Sequence, residues 1–347
     1  MDDPTRFAKK SSFKTRTWNA SASFLHTTMN LFYLTSISFT SIVYFVEGTK
    51  CLGGAEVPTA IYTFCYLYGM SSADGYVSYY PWILLFLAVQ CAINLAPFLI
   101  YGPACRKSLQ DFEKLRHAYL SFPEECDIRD EKIMTPASKD RAILEAVDLV
   151  KGRIDNSVNR TWMFNYFILE IFSIVAFLTR VFFADKFLNQ KYRYLGFKLD
   201  KLESIFPTVG KCTFRKFGPS GTIQIFDFYC VLTINSIFDK VMVVNWFLDV
   251  IAAILLAGNL LFEFFQILFH KGEFFNKLFG PPVANVDRSW FQGLNYSDWL
   301  FFSYLSENTP PQIFTDLITQ VHQGYHRGEK VVKEESVSHL AVSESHN

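Results

Sequence analysis

The sequence predicts an all-α membrane protein with four transmembrane helices, disulfide-stapled extracellular loops containing a short β-hairpin, and a helical cytoplasmic domain. Three observations carry that expectation. Half of the 347 residues are hydrophobic and 17% are aromatic, with 37 phenylalanines against 19% charged residues, a greasier balance than soluble domains hold. Four runs, 24–46, 82–101, 162–184 and 243–269, are apolar over the length that a membrane crossing needs, about 20 helical residues for a hydrocarbon core roughly 30 Å thick. Four of the seven cysteines fall in the first and third of the loops between those runs, two in each.

The run at 24–46 starts too late, extends too far and lacks the small-residue cleavage site of a removable signal peptide, so it reads as a retained span, the most polar of the four. Four spans place 1–23, 102–161 and 270–347 on one side and 47–81 and 185–242 on the other. Lys50 is the single Lys or Arg of the first loop, against five before the first span (Arg6, Lys9, Lys10, Lys14, Arg16) and eleven in 102–161. By the positive-inside rule the termini are cytoplasmic. The second exterior loop carries nine basic residues against five acids, but long loops obey the rule weakly.

Cys51 and Cys65 then lie in the first exterior loop, Cys212 and Cys230 in the second, where oxidation is permitted. Four cysteines allow three pairings, and spacing does not choose among them. Between Cys212 and Cys230, Gly218, Pro219, Ser220 and Gly221 supply a turn, because proline presets φ at the second position and glycine tolerates unusual dihedrals. The flanks, rich in Phe, Thr and Ile, have strand character. A lone hairpin is marginal in water, so disulfides are the expected restraint. The sequons at Asn19, Asn159 and Asn295 all fall on the cytosolic side, which leaves both exterior loops free of N-linked glycan.

In the cytosol, SLQDFEKLRHAYLSF places Leu109, Phe112, Leu115 and Tyr119 at helical spacing, and RAILEAVDLVKGRI does so with Ile143, Val147, Val150 and Ile154. Ser297 is a candidate cap for a helix through DWLFFSYL, and Thr309 with Pro310 reads as the start of another over the rest of 270–327. The polar stretch 328–347 has the composition of a disordered tail.

The spans carry polar residues that need partners. Tyr33, Ser36, Thr40, Tyr44 and Glu47 recur at intervals of three or four along one face of the first span. Two readings stand: subunits in a ring turn this face to a watery pore, or its small hydroxyl residues pack against other helices. Charges in a bilayer cost roughly 2.5–3.5 kcal/mol each on insertion scales, so Glu170, Arg180, Asp249 and Glu263 require company. Arg180 and Asp249 lie at similar depth below the outer ends of their spans, which predicts an ion pair between spans three and four. Asn245, Asp249, Asn259 and Glu263 share one helical face, as an interhelical polar seam would. His26 is an interfacial hydrogen-bonding residue or a pH sensor.

No P-loop, HExxH, CxxC, Gly-x-Ser-x-Gly or Rossmann fingerprint occurs, so nothing supports an enzyme, a metal site or a cofactor. Zero net charge gives no electrostatic case for nucleic acid. The partners expected are membrane lipids and further copies of the chain.

The stretch FPTVGKCTFRKFGPSGTIQIFDFYCVLTINSIFDK, with its KCTF and GPSG elements, resembles the second exterior loop of innexins, the invertebrate gap-junction family related to pannexins. YTFCYLYG around Cys65, the YYPW at Tyr79, Tyr80 and Trp82, then Gln90 and Pro97, Glu170 within YFILEIFSIVAFLTRVFFADKFL, and SDWLFFSYLSEN are similar to the family pattern along nearly the whole chain. Pro81 stands where the signature has glutamine and Leu84 where a second proline is usual, and the stretch before Phe24 is hardly recognisable. The resemblance implies disulfides Cys51–Cys230 and Cys65–Cys212, a pore lined by the first span, and an octameric ring, homomeric or heteromeric. Such a ring conducts ions and small metabolites as a hemichannel and docks with an opposing hemichannel on the adjacent cell through the Gly218–Gly221 hairpin. A non-docking release channel of the pannexin kind and a non-conducting adhesion or modulatory protein are the competing expectations. Glycan-free loops weigh against the first, and the absence of tetraspanin and claudin cysteine signatures against the second.

Overall fold

Short strands from two distant parts of the chain meet in one sheet, and long helices run to either side of them in sequence. The computed structural model describes residues 20–46, 49–52, 59–72, 75–120, 136–281, 288–309 and 314–323. In chain order, α1 (Ala20–Ser23) passes through a π-helical turn, Phe24–Met29, into α2 (Asn30–Val46). Next come β1 (Thr49–Leu52), α3 (Thr59–Tyr68), β2 (Met70–Ser72), β3 (Gly75–Val77) and α4 (Ile83–Leu120). Then α5 (Pro136–Asp155), α6 (Val158–Phe187), α7 (Leu202–Ile205), β4 (Val209–Phe217), β5 (Ile223–Leu232) and α8 (Thr233–Phe269). After these follow α9 (Glu273–Phe279), α10 (Arg288–Gly293), α11 (Tyr296–Asn308) and a last helix over 314–323.

Four helical stretches are long and apolar enough to cross a membrane: Ser21–Val46, Tyr80–Ala104, Val158–Phe187 and Thr233–Phe269. The helices outrun the apolar runs that the sequence marks. The fourth starts at Thr233 rather than 243, and α4 continues to Leu120, so the SLQDFEKLRHAYL segment is its extension and not a separate helix. Hydropathy reports where side chains leave oil, whereas the backbone ladder closes on itself and continues through polar residues with good helix propensity.

The sheet has the order β1-β5-β4-β2-β3, every pairing antiparallel. Three of its strands come from the first inter-span loop and two from the second. The sequence offered only the β4–β5 hairpin, because strands of three or four residues are too short to display period-two alternation. Gly210 faces Cys230 in the ladder, and a β-carbon on it would lie 2.8 Å from Met70 Cβ. Glycine is what lets β2 approach.

By contacts the chain divides into two units. One comprises 20–101 and 169–260, and the other the described residues of 102–168 and 261–323. The second unit is all helical, with a core around Val150, Trp162, Trp299, Phe301, Phe302 and Phe314. Val147 and Val150, two members of the spacing read from the sequence, are buried in it, and Ile154 packs against it. Two polar contacts tie this unit together. Trp299 Nε1 donates to Asn276 Oδ1 at 2.6 Å, and Asn159 Nδ2 donates to Asp298 Oδ1 at 2.9 Å. Burial pushes the Asp298 carboxyl above the usual carboxylate range, against the pull of the Asn159 bond. The cap of α11 is Asn295, not Ser297, which lies inside the first turn. Pro310 and 328–347 lie outside the described residues.

Trp299→Ala is expected to destabilise this unit by about 3–5 kcal/mol through the cavity it leaves. Phe274, 80% exposed, should tolerate alanine within about 0.5 kcal/mol. Thermal unfolding of the detergent-solubilised protein measures both, and equal shifts would contradict this core.

Candidate functional site

The site is built in the unit 20–101 with 169–260, where the sheet closes over the ends of the helices that enter it. Cys51 faces Cys230 in the β1–β5 ladder, and a disulfide joins them across 179 residues of sequence. A second joins Cys65 of α3 to Cys212 of β4 across 147 residues. All four are buried. Each bridge ties the first loop to the second, so both loops form one body; a disulfide typically contributes about 2–4 kcal/mol. Tyr80 OH donates to Cys65 O at 2.9 Å, fastening the start of α4 to α3 beside the bridge. Tyr79 OH donates to Ile205 O at 3.3 Å, and its ring meets those of Phe187, Phe206 and Phe238. Trp82, from the same motif, is 58% exposed and Pro97 is buried within α4.

Beyond the sheet's root, β4 and β5 run on as a two-stranded ribbon with Phe217, Ile223 and Ile225 exposed on one face. Phe214, on the other face, packs edge-on to Phe64 of α3 at 5.1 Å. At the tip, Gly221 N–H donates to Gly218 O at 3.0 Å and Gly218 N–H to Thr222 O at 2.8 Å. Gly221 alone of the two glycines takes positive φ, +75°, the left-handed conformation that closes such a loop without a β-carbon clash. On the ribbon, Lys211 Nζ meets Asp227 Oδ2 at 2.8 Å and Thr213 donates to the same carboxylate. The Lys211 bond leads in holding the Asp227 carboxyl below its ordinary range.

Beneath the sheet lies a closed polar network. Arg180 of α6, 0% exposed, pairs with Asp249 of α8, Nη2 to Oδ1 at 2.7 Å. Arg180 also donates to Tyr33 OH of α2. Tyr33 OH donates to Asn245 Oδ1 at 2.8 Å, Asn245 Nδ2 to Tyr192 OH at 2.6 Å, and Tyr192 OH to Asp249 Oδ2 at 2.6 Å. Burial, followed by the neighbouring Asp249 charge, drives the Tyr192 phenol well above its usual range and keeps it a donor. The other two residues of the α8 face have partners as well. Asn259 donates to Glu170 Oε1, and in the helical unit Tyr166 OH donates to Glu263 Oε1 at 2.9 Å.

This network changes the reading of the first span. Tyr33, Ser36 and Thr40, which the resemblance implies line a pore and which spacing also allows to pack against helices, are buried at 0%, 6% and 0% exposure inside the subunit. Tyr44 is half-buried with its ring against Tyr66 at 5.6 Å, and Glu47 lies outside the described residues. A polar stripe in an apolar span shows only that partners are needed; here protein supplies them for Tyr33. The outward residues include Thr28, Thr35 and Ser38, and the last two donate their hydroxyls to carbonyls of their own helix. Sequence reading missed Tyr192, which sits in a loop 3₁₀ turn, Tyr192–Phe197, with no periodicity to flag it.

Reversing either charge alone, Arg180→Asp or Asp249→Arg, should abolish surface expression, and the exchange of both should restore part of it. A double-mutant cycle with Arg180→Met and Asp249→Leu on detergent thermal stability should give a coupling of about 1–3 kcal/mol. Strictly additive losses would exclude a coupled pair.

The chain matches the family profile Innexin over residues 22–325. It is 26% identical to Innexin inx3 of Drosophila melanogaster over 270 residues, 71% of this chain and 62% of that protein. To Innexin inx7 of the same organism it is 25% identical over 187 residues, 49% of this chain and 43% of the relative. To Innexin inx2, again of Drosophila melanogaster, it is 24% identical over 270 residues, 71% and 67% of the two. The chain thus spans under two thirds of the length of inx3 and less than half of inx7. With a single profile running from the first span through the last helix, the chain belongs to the innexin family.

Proposed function

We propose that the chain is a subunit of an oligomeric plasma-membrane channel, which acts alone as a hemichannel and docks with a second ring on an adjacent cell to form a gap junction passing ions and small metabolites. Membership of the innexin family supports this reading. The observation that carries it is the shared sheet: five strands from two loops, cross-linked by two disulfides that both run between the loops. A body ordered before contact loses less conformational entropy on docking, so a modest surface suffices for a stable junction. The glycine turn at 218–221 stands at the far end of the ribbon, where an opposing ring would be met.

The termini are cytosolic and both stapled loops extracellular, a topology supported by Lys50 alone in the first loop against the basic residues of 1–23 and 102–161. The ring is octameric. Since Tyr33, Ser36 and Thr40 are taken up by packing, the first span lines the pore with its exposed side, including Thr28, Thr35 and Ser38.

Dual voltage clamp and dye transfer between paired cells expressing the chain test the proposal. Coupling is expected between the paired cells, together with current in single cells. Replacing Cys65 and Cys212 by serine should abolish coupling. Single-cell current without coupling would overturn docking, and surface-expressed protein silent in both assays would overturn the channel.

A further inference from the structure

Buried positions in the first span include Ser21, Leu25, Met29 and Tyr33, four apart, with Asn30 beside Met29, and then Ser36 and Thr40. An α-helix of 3.6 residues per turn would drift about 40° at each four-residue step. The π-helical turn Phe24–Met29 absorbs that drift and keeps the four side chains on the packed face. A π turn holds one residue more than the α turn it replaces and breaks the regular ladder, so it persists where its surroundings hold it and is often found at functional positions.

The holder is on α4. Asn94 Nδ2 donates to Leu25 O at 2.8 Å and to Asn30 Oδ1 at 2.9 Å, and Asn30 Nδ2 donates back to His26 O at 2.7 Å. The Asn30 backbone N–H, where the α-helix resumes, turns instead to Thr27 O. One turn along α4, the Phe98 ring meets the His26 ring edge-on at 4.8 Å. Asn94 is 4% and Phe98 5% exposed. Two consecutive carbonyls of the widened turn, Leu25 O and His26 O, thus receive side-chain donors from a buried pair of asparagines, and the His26 ring within the turn meets the Phe98 ring edge-on.

We propose that Asn94 is a positioning residue for conduction: acting through Leu25 O and Asn30, it holds the Phe24–Met29 turn in its π form and so fixes the rotation of the start of the first span against its outer half. Without the clamp the turn reverts to α. Re-absorbing one residue rotates what precedes the turn by about 100° and shifts it by about 1.5 Å, which changes whether Ser23, exposed just before the turn, faces the ring axis. The electrical consequence rests on the channel reading above; the helix geometry does not.

Asn94→Leu keeps the volume and removes both donated bonds. In cells, its single-channel conductance and cation-to-anion permeability ratio should differ from wild type, not merely the number of channels. Cryo-electron microscopy of the purified variant should show residues 24–29 as α-helix with the stated rotation. Combining Asn94→Leu with deletion of Phe24, a residue of the same turn that is not on the exposed side assigned to the pore, should restore wild-type conductance, because an α-helix one residue shorter keeps both flanks in their original orientation. A π turn that survives Asn94→Leu with unchanged conductance overturns the proposal. If Asn94→Leu alone fails to reach the surface, the combined variant decides: wild-type conductance supports positioning, and continued misfolding reduces Asn94 to a folding role and overturns it. If the wild-type ring carries no current, the channel reading fails, and the density at 24–29 in Asn94→Leu still decides this inference.

Discussion

The four-helix unit depends on neutralising one buried cation. Arg180 sits among hydrophobic helices with no exposure, and an unpaired charge there would cost several kcal/mol. Its pairing with Asp249 fixes α6 against α8, and the leftover hydrogen-bonding capacity of both groups recruits Tyr33, Asn245 and Tyr192. Because Tyr33 lies on α2 and Tyr192 in the loop after α6, a single electrostatic requirement sets three helices and one loop at once. Such networks specify geometry more than they stabilise it, since each partner is tolerable only in the presence of the others.

The same logic of mutual dependence governs the sheet. None of β1, β2 or β3 exceeds four residues, and strands of that length do not persist alone in water. They are held by β4 and β5, while β4 and β5 are held by the disulfides to Cys51 and Cys65. Aromatic rings from Tyr79, Phe86, Phe187 and Phe238 fill the space where this sheet meets the helices, with Phe86 and Phe187 stacked at 4.2 Å. Tyr192, pinned to Asp249, adds a polar tie at the same level. Loop and helix geometry are therefore one problem: a change in the packing of α6 on α8 reaches the loops through Tyr192.

The hydroxyl-rich face of α2 illustrates how polarity misleads. Thr35 and Ser38, on the exposed side, satisfy themselves on the preceding turn, a local bond any helix offers. Tyr33, whose phenol stands too far from its own backbone for that bond, finds Asn245 and Arg180 in the interior, where Ser36 and Thr40 are buried as well. The π turn just before it belongs to the same accommodation, bringing Leu25 and Met29 onto the face that Tyr33 occupies.

The sequence by itself determined the number and placement of the apolar spans, the loop membership of the four cysteines, the similar depth of Arg180 and Asp249, the turn at 218–221 and the periodicity of Val147, Val150 and Ile154. These are legible because hydropathy, charge and turn chemistry act over a few neighbouring residues. Tertiary structure alone decided that Tyr33, Ser36 and Thr40 turn inward, that Tyr192 completes the network, that β1, β2 and β3 join the hairpin, and that Asn94 meets a π turn. Each of those depends on residues far along the chain, such as Asn245 for Tyr192 at 53 residues, Asn30 for Asn94 at 64 or Asn245 for Tyr33 at 212. Local pattern states that a polar group needs company; only the assembled chain determines whether protein or water provides it.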